Sequence, residues 1–359
     1  MTTVIELERV TKRYGGGGGG AAAVDGLSLS VREGEVCVLV GPSGCGKSTT
    51  MRMINRLIEP DAGTIRVGGV DIATIDPVQL RRGIGYVIQD VGLFPHQSVA
   101  QNIATVPSLL GWDRRRAAER VDELLALVDL EPSAYRDRYP RELSGGRAQR
   151  VGVARALAAD PPVFLMDEPF GALDPIIRDR LQDEFRRLQA ELRKTVVFVT
   201  HDLDEAVKMG DRIAVMAVGG RLEQYASPAE VLANPATPFV SSFVGSDRGL
   251  KLLSVSVLDE SNARPWPTIV DGGLAPLDRV SPAVLDRGGS FMGWLDPSGR
   301  VRGENDRVHV GATRRDALAL LLLDGRERIA LVDDAGRFLG VLTASDVLAH
   351  SDGWSKSSA

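Results

Sequence analysis

An α/β fold whose centre is a parallel sheet covered by helices is what this sequence predicts, on three observations. Apolar runs at residues 36–40, 163–166 and 196–199 are rich in β-branched residues and lack polar alternation, as strands buried on both faces do. Helical patterns with one apolar face lie among them: Ala117, Val121, Leu124 and Val128 in one, Leu181, Phe185, Leu188 and Leu192 in another. The first run passes straight into the glycine-rich loop of residues 41–48 (GPSGCGKS), in the strand, loop, helix order of a phosphate-binding P-loop.

Before this core, Ile5 and Leu7 alternate with Glu6 and Glu8, and Val24, Leu27, Leu29 and Val31 keep strand spacing, which predicts an antiparallel edge. Residues 15–20 between them are all glycine; so much backbone freedom predicts a mobile surface loop. After about Phe243 the texture changes, and residues 259–289 are rich in Pro, Asp and Gly, which marks a domain boundary. From Val308 to His350 a β-α-β-β-α order is legible, with Asp333 and Gly336 in the turn between its last two strands.

The 359 residues suffice for two domains, and 43 basic against 48 acidic residues give a net charge of −5, which offers nucleic acid no bulk attraction. The basic run Arg114 to Arg116 is followed by Glu119, Asp122 and Glu123, as on a solvated helix face. No apolar stretch approaches the ~20 residues that cross a bilayer, and the N-terminus lacks the basic and apolar segments of a secretory signal. A cytosolic chain with Cys37 and Cys45 reduced is expected.

The chemistry follows from three segments. In the loop, glycines let backbone amides turn toward a phosphate, Lys47 neutralises its oxygens, Ser48 is a magnesium ligand, and a helix over residues 47–57 adds its positive end. At the end of the second buried run, Asp167 is suited to the magnesium shell and Glu168 to general base toward an attacking water. Leu143, Ser144, Gly145 and Gly146 precede a helical run through Val151, Ala154 and Leu157. Ser144 is a candidate N-cap, and the glycines bare the helix amides to a second phosphate contact. If residues between the loop and Ser144 form a separate helical subdomain, one ATP cannot use both sites of one chain, so a head-to-tail dimer is predicted.

With these marks in order, the sequence resembles the ABC transporter ATPases. Three further segments match: Gln89 after a strand, the run Ala172, Leu173, Asp174, and the run Thr200, His201, Asp202. The resemblance implies a P-loop ABC ATPase fold, with a RecA-like core, an antiparallel β edge and a helical subdomain. It implies Mg2+ and ATP as ligands, with Glu168, His201 and Gln89 catalytic and Ser48, Gln89 and Asp167 on the metal. Nucleotide contacts would come from Tyr14, Gly41, Ser43, Gly44, Cys45, Gly46, Lys47, Ser48 and Thr49, and from Ser144, Gly145, Gly146 and Asp174, the last at the dimer seam. Tyr14 would stack on adenine and His201 would donate to the γ-phosphate.

Residues 51–60 (MRMINRLIEP), 84–96 (IGYVIQDVGLFPH), 102–107 (NIATVP) and 135–139 (YRDRY) are similar to the ATPases of glycine betaine, carnitine and choline importers. That likeness covers about residues 3–255. It implies a homodimer at the cytoplasmic face of the membrane, working with permease subunits and an extracellular solute-binding protein, with residues 93–96 in the groove that receives the permease. An importer ATPase for a sugar or polyamine is the nearest alternative, because the solute never touches this chain. A soluble ABC ATPase would need coiled-coil insertions or duplicated cassettes, which the sequence lacks. Departures are Arg147 where the signature has Gln, Ala148 where Arg is common, and Asp90 where a second Gln is common.

Residues 328–332, 338–342 and 343–346 (TASD) resemble one repeat of a cystathionine β-synthase (CBS) domain, a small α+β module. In that reading Thr343 and Asp346 hold a ribose; the same T-x-x-D also reads as a helix cap. The expected organisation is a nucleotide-binding domain at 1–245 with its helical subdomain at about 92–158, a linker with an eroded first CBS-like repeat at 246–306, a CBS-like repeat at 307–350, and a disordered tail at 351–359.

Overall fold

The computed structural model describes residues 2–14, 22–88, 92–171, 173–271, 281–323 and 325–349. The glycine loop at 15–20, Gln89, Asp90, Ala172 and the tail at 351–359 lie outside the described residues. The chain divides into two compact units, residues 1–244 and 245–359.

The strands of the first unit are β1 (Thr3–Arg13), β2 (Ala22–Arg32), β3 (Val36–Val40), β4 (Ala62–Val67), β5 (Val70–Asp71), β6 (Ile84–Val87), β7 (Val163–Asp167), β8 (Thr195–Thr200), β9 (Arg212–Ala217) and β10 (Arg221–Ala226). They form two sheets, ordered β2-β1-β4-β5 and β10-β9-β3-β8-β7-β6. The first is antiparallel, with β1 between β2 and β4. In the second, β9, β3, β8, β7 and β6 run parallel and β10 closes the edge antiparallel. Every residue of β3, β7 and β8 is buried, which explains runs without polar alternation.

Ile5, Leu7, Leu27 and Leu29 share one core with Leu39, Leu165 and Val197 and with Met51, Met53 and Ile54 of the helix Lys47–Ile54. The phosphate-loop helix is therefore packed into the core between the sheets. It ends at Ile54, three residues before the sequence reading. Arg56 is left-handed (φ 48°), Leu57 N–H donates to Arg52 O at 2.8 Å, and Arg56 N–H donates to Met53 O at 3.0 Å. This is a Schellman closure built on arginine, so no glycine marks the stop.

Between β6 and β7 the described residues hold the helices Val99–Ile103, Thr105–Leu109, Arg114–Leu127, Pro132–Tyr135 and Gly145–Leu157. The basic run lies on an exposed face, where Arg115 pairs with Glu119 at 2.8 Å and Arg116 stacks on Trp112. Cys37 and Cys45 are free and buried, and burial pushes the Cys37 thiol up to about 12. Among the described residues, no helix is long and apolar enough to cross a membrane.

In the second unit a helix, Arg248–Val255, precedes β11 (Thr268–Val270), β12 (Ala283–Leu285), β13 (Phe291–Leu295) and β14 (Val301–Arg302), which form one sheet in that order. β15 (Arg307–His309), β16 (Ile329–Val332) and β17 (Phe338–Leu342) form another, joined through the helix Arg314–Leu323. Both sheets begin with a parallel pair followed by an antiparallel hairpin. The hairpin turns match: Asp286 accepts from Gly288 and Ser290 N–H, and Asp333 accepts from Ala335 and Arg337 N–H. The copies exchange backbone bonds, Phe291 N–H to Gly336 O at 3.1 Å and Phe338 N–H to Gly289 O at 3.0 Å, and their phenyl rings stack at 5.9 Å. The stretch from residue 246 to 306 thus holds a folded sheet related to the one that follows. Thr343 and Asp346 are committed to the fold: both the N–H and the hydroxyl of Thr343 donate to Asp346 Oδ2, at 2.9 and 2.6 Å, and the other carboxylate oxygen pairs with Arg264. Together they form the capping box of the helix Ala344–Leu348.

Candidate functional site

The loop from β3 to its helix is shaped by close packing. A Cβ on Gly41 would lie 2.2 Å from Met216 O, and one on Gly46 would lie 2.3 Å from Ala23 O, so both positions exclude any other residue. Ser43 and Gly44 form the exposed crown, Cys45 and Gly46 are buried, and Ser48 and Thr49 are half-buried. Cys45 turns its thiol inward and offers a ligand only its backbone. Lys47 is 6% exposed, and its ammonium donates to Gly41 O at 2.7 Å and Pro42 O at 3.1 Å. The loop's own carbonyls thus hold the cation.

Ser48 Oγ donates to Asp167 Oδ1 at 3.0 Å, which joins the loop to the end of β7. Burial raises the Asp167 carboxyl, against the lowering effect of the Ser48 hydrogen bond, Arg52 and Lys47. A hydroxyl and a carboxylate side by side are hard oxygen donors, and this donor set fits magnesium completed by phosphate oxygens and water. The raised pKa has a stability consequence whose sign is fixed. The folded state disfavours the ionised carboxyl, so Asp167 destabilises the ligand-free protein above its folded pKa and ceases to do so once both states are protonated. Asp167→Asn is therefore expected to raise the thermal midpoint at pH 7, with the gain shrinking toward pH 4. Calorimetry of the ligand-free chain at the two pH values checks it; a lower midpoint at pH 7 contradicts the account.

Glu168 is held at φ 45°, a left-handed conformation rare for a residue with a side chain. Its Oε2 lies 3.2 Å from His201 Nδ1, beyond the end of β8. The structure thus brings Lys47, Ser48, Asp167, Glu168 and His201 to the ends of the adjacent parallel strands β3, β7 and β8. Tyr14 is 52% exposed with Lys12 Nζ 6.0 Å from its ring centre, and Gln89 lies outside the described residues.

Ser144 occupies the N-cap position of the helix Gly145–Leu157 but makes no side-chain capping bond; only its carbonyl joins the ladder, accepting from Ala148 N–H at 2.9 Å. The expected capping role of its hydroxyl is corrected accordingly. Gly145 and Gly146 open the helix, with Leu173 and Ile177 as the nearest side chains. Arg147 stacks on Tyr135 at 5.3 Å. Asp174 caps the helix Pro175–Leu192, accepting from Ile176 and Ile177 N–H at 3.1 Å. Phe94 is exposed, and its segment is pinned by Asn102, which bonds Phe94, Gln97 and Ser98, and by Arg155 Nη1 on Gly92 O at 2.6 Å.

A family model for ABC transporters matches residues 24–171, the span that holds the loop, Ser144 and Glu168. The osmoprotectant import ATP-binding protein OsmV of Salmonella typhimurium is 50% identical, over 95% of this chain and 94% of that protein. The glycine betaine/carnitine/choline transport ATP-binding protein OpuCA of Bacillus subtilis is 44% identical, over 96% and 95%. The chain belongs to the ABC transporter ATP-binding proteins. Its first unit has the fold of solved ATP-binding cassettes: one described as dimeric, in a post-hydrolysis state with ADP and Pi, has a TM-score of 0.56 at 33% identity, covering 62% of this chain and 98% of that one. CbiO1 from Clostridium perfringens has a TM-score of 0.60 at 29% identity, covering 66% and 93%.

Sequence reasoning on this ABC ATPase missed polar pairs on the helices near the site. Gln182 donates to Glu205 at 2.9 Å in the core, and Arg150 of the signature helix pairs with Glu184 at 2.8 Å. Their one sequence signal is a polar residue beside an apolar helical stripe, as Gln182 is beside Leu181.

Proposed function

We propose that this ATPase drives uptake of a quaternary ammonium osmolyte, of the glycine betaine, carnitine or choline class, through permease subunits. The observation that carries the ATPase part is the convergence of Lys47, Ser48, Asp167, Glu168 and His201 on the ends of three neighbouring strands. The solute class is supported by OsmV, OpuCA and the choline transport ATP-binding protein OpuBA, which match nearly the whole chain, the second unit included.

In this reading Lys47 leaves the carbonyls of Gly41 and Pro42 for phosphate oxygens. Ser48, Asp167 and Gln89 hold magnesium, whose chemistry is to neutralise and polarise the phosphate oxygens. Glu168 accepts the proton of the attacking water, and His201, oriented by Glu168, donates to the γ-phosphate. Tyr14 stacks on the adenine. Gly145 and Gly146 of a second copy, with the uncommitted Ser144 hydroxyl, supply the other phosphate contact, and Asp174 lies at the seam between copies. The exposed segment around Phe94 receives the permease at the cytoplasmic face, and an extracellular binding protein delivers the solute. The paired sheets of the second unit are read as CBS-like repeats with a regulatory or dimerising role.

The test is transport. With its permease and binding protein in liposomes, the complex is expected to accumulate labelled glycine betaine or choline only with MgATP inside. Accumulation of a sugar or polyamine in place of quaternary amines defeats the solute assignment and leaves the ATPase assignment standing.

A further inference from the structure

Two polar side chains inside the first unit serve no step above. Gln182, on the helix Pro175–Leu192, and Glu205, on the helix Leu203–Met209, are 5% and 7% exposed, and Gln182 Nε2 donates to Glu205 Oε1 at 2.9 Å. Thr200, buried as well, lowers the Glu205 carboxyl against the effect of burial. Thr200 Oγ1 in turn accepts the Asp202 N–H at 3.0 Å, and Asp202 Oδ1 accepts from Asp204 and Glu205 N–H. His201 thus stands between two residues bonded into this cluster. From the same long helix Arg178 donates to Leu173 O at 3.0 Å and sets its other nitrogen 3.9 Å from Asp202. The helix capped by Asp174 therefore reaches the segment just after His201 at two points, Asp202 and Glu205.

Burying a carboxylate is unfavourable, and burial is the largest influence on Glu205, raising its carboxyl. Apolar residues of similar volume at such a pair are often neutral or stabilising. Stability alone gives no reason for an amide and a carboxylate here, whereas a directional bond fixes a turn in a way that leucines do not.

We propose that Gln182 and Glu205 are positioning residues for hydrolysis, fixing His201 for its phosphate contact by tying its turn to the helix that begins at Asp174. This rests on the reading of His201 given above. The bond transmits the place of the seam helix to the histidine, so closure at the seam and alignment of the reacting phosphate are one event.

The test is steady-state MgATP hydrolysis and thermal unfolding of the full-length chain carrying Gln182→Leu with Glu205→Leu, beside Glu205→Gln and His201→Ala. The leucine pair is expected to lower kcat about tenfold or more, because small misplacements of a reacting group act on the rate. Its KM for MgATP stays within about threefold of wild type and its midpoint does not fall. Glu205→Gln, which still offers Gln182 an oxygen acceptor, keeps kcat within about threefold. A leucine pair with wild-type kcat overturns the proposal; so does a loss of kcat that comes with a lower midpoint, or an equal loss in Glu205→Gln. His201→Ala separates the two ideas: if it turns over normally, the histidine's own role fails, whatever the pair does.

Discussion

Glu168→Gln is expected to bind MgATP with near wild-type affinity and to lose two to four powers of ten in turnover, the usual contribution of a positioned general base, roughly 10²–10⁴. The amide has the carboxylate's size and keeps an oxygen for His201, so the 3.2 Å contact and the left-handed backbone at Glu168 can persist while the group that accepts the water's proton is gone. The arrest has a second signature. With hydrolysis stopped, the nucleotide-bound form accumulates, and size-exclusion chromatography in MgATP is expected to show a stable dimer that EDTA dissolves. Turnover within tenfold of wild type would remove Glu168 from the role of base. Slow turnover without a dimer would leave the chemistry and dismiss the assembly.

The contrast between what the sequence reveals and what it conceals is physical. β3, β7 and β8 are legible because burial on both faces strips a strand of polar alternation, and a motif fixed to the end of such a strand has one place to go. The phosphate loop, Asp167 and Glu168 were therefore identifiable before any fold was known. The end of the first helix was not, since Arg56 takes the left-handed position that sequence rules reserve for glycine or asparagine. The Gln182 and Glu205 pair escapes for another reason: the partners are 23 residues apart on different helices, and the place of Gln182 beside an apolar stripe does not say which residue it meets. In the second unit the first repeat was legible only as an eroded one, because the pattern it shares with the second is a turn, Asp286 to Phe291 against Asp333 to Phe338, and not an apolar period.

A mixing experiment reaches the geometry on which the dimer depends. Lys47→Ala removes the buried ammonium from the loop, and Gly146→Asp puts a negative charge in the first turn of the signature helix. That charge favours the helix, whose N-terminus is positive, so the variant is expected to fold. A Cβ there meets the Ile177 Cγ2 at 3.2 Å, and Ile177 is exposed enough to yield. The same charge repels a phosphate, so each variant alone is expected to be inactive. If each nucleotide lies between the Lys47 loop of one copy and the Gly146 helix of the other, a mixed dimer gathers both lesions in one site and leaves the other site whole. An equal mixture is then expected to recover about a quarter of the wild-type turnover, since half of randomly paired dimers are mixed and each keeps one of its two sites. If both elements instead serve the same nucleotide within one chain, every site in the mixture carries a lesion and no activity returns. The ATPase rate of the mixture against its two components therefore distinguishes a shared site from a private one, without any assumption about the solute.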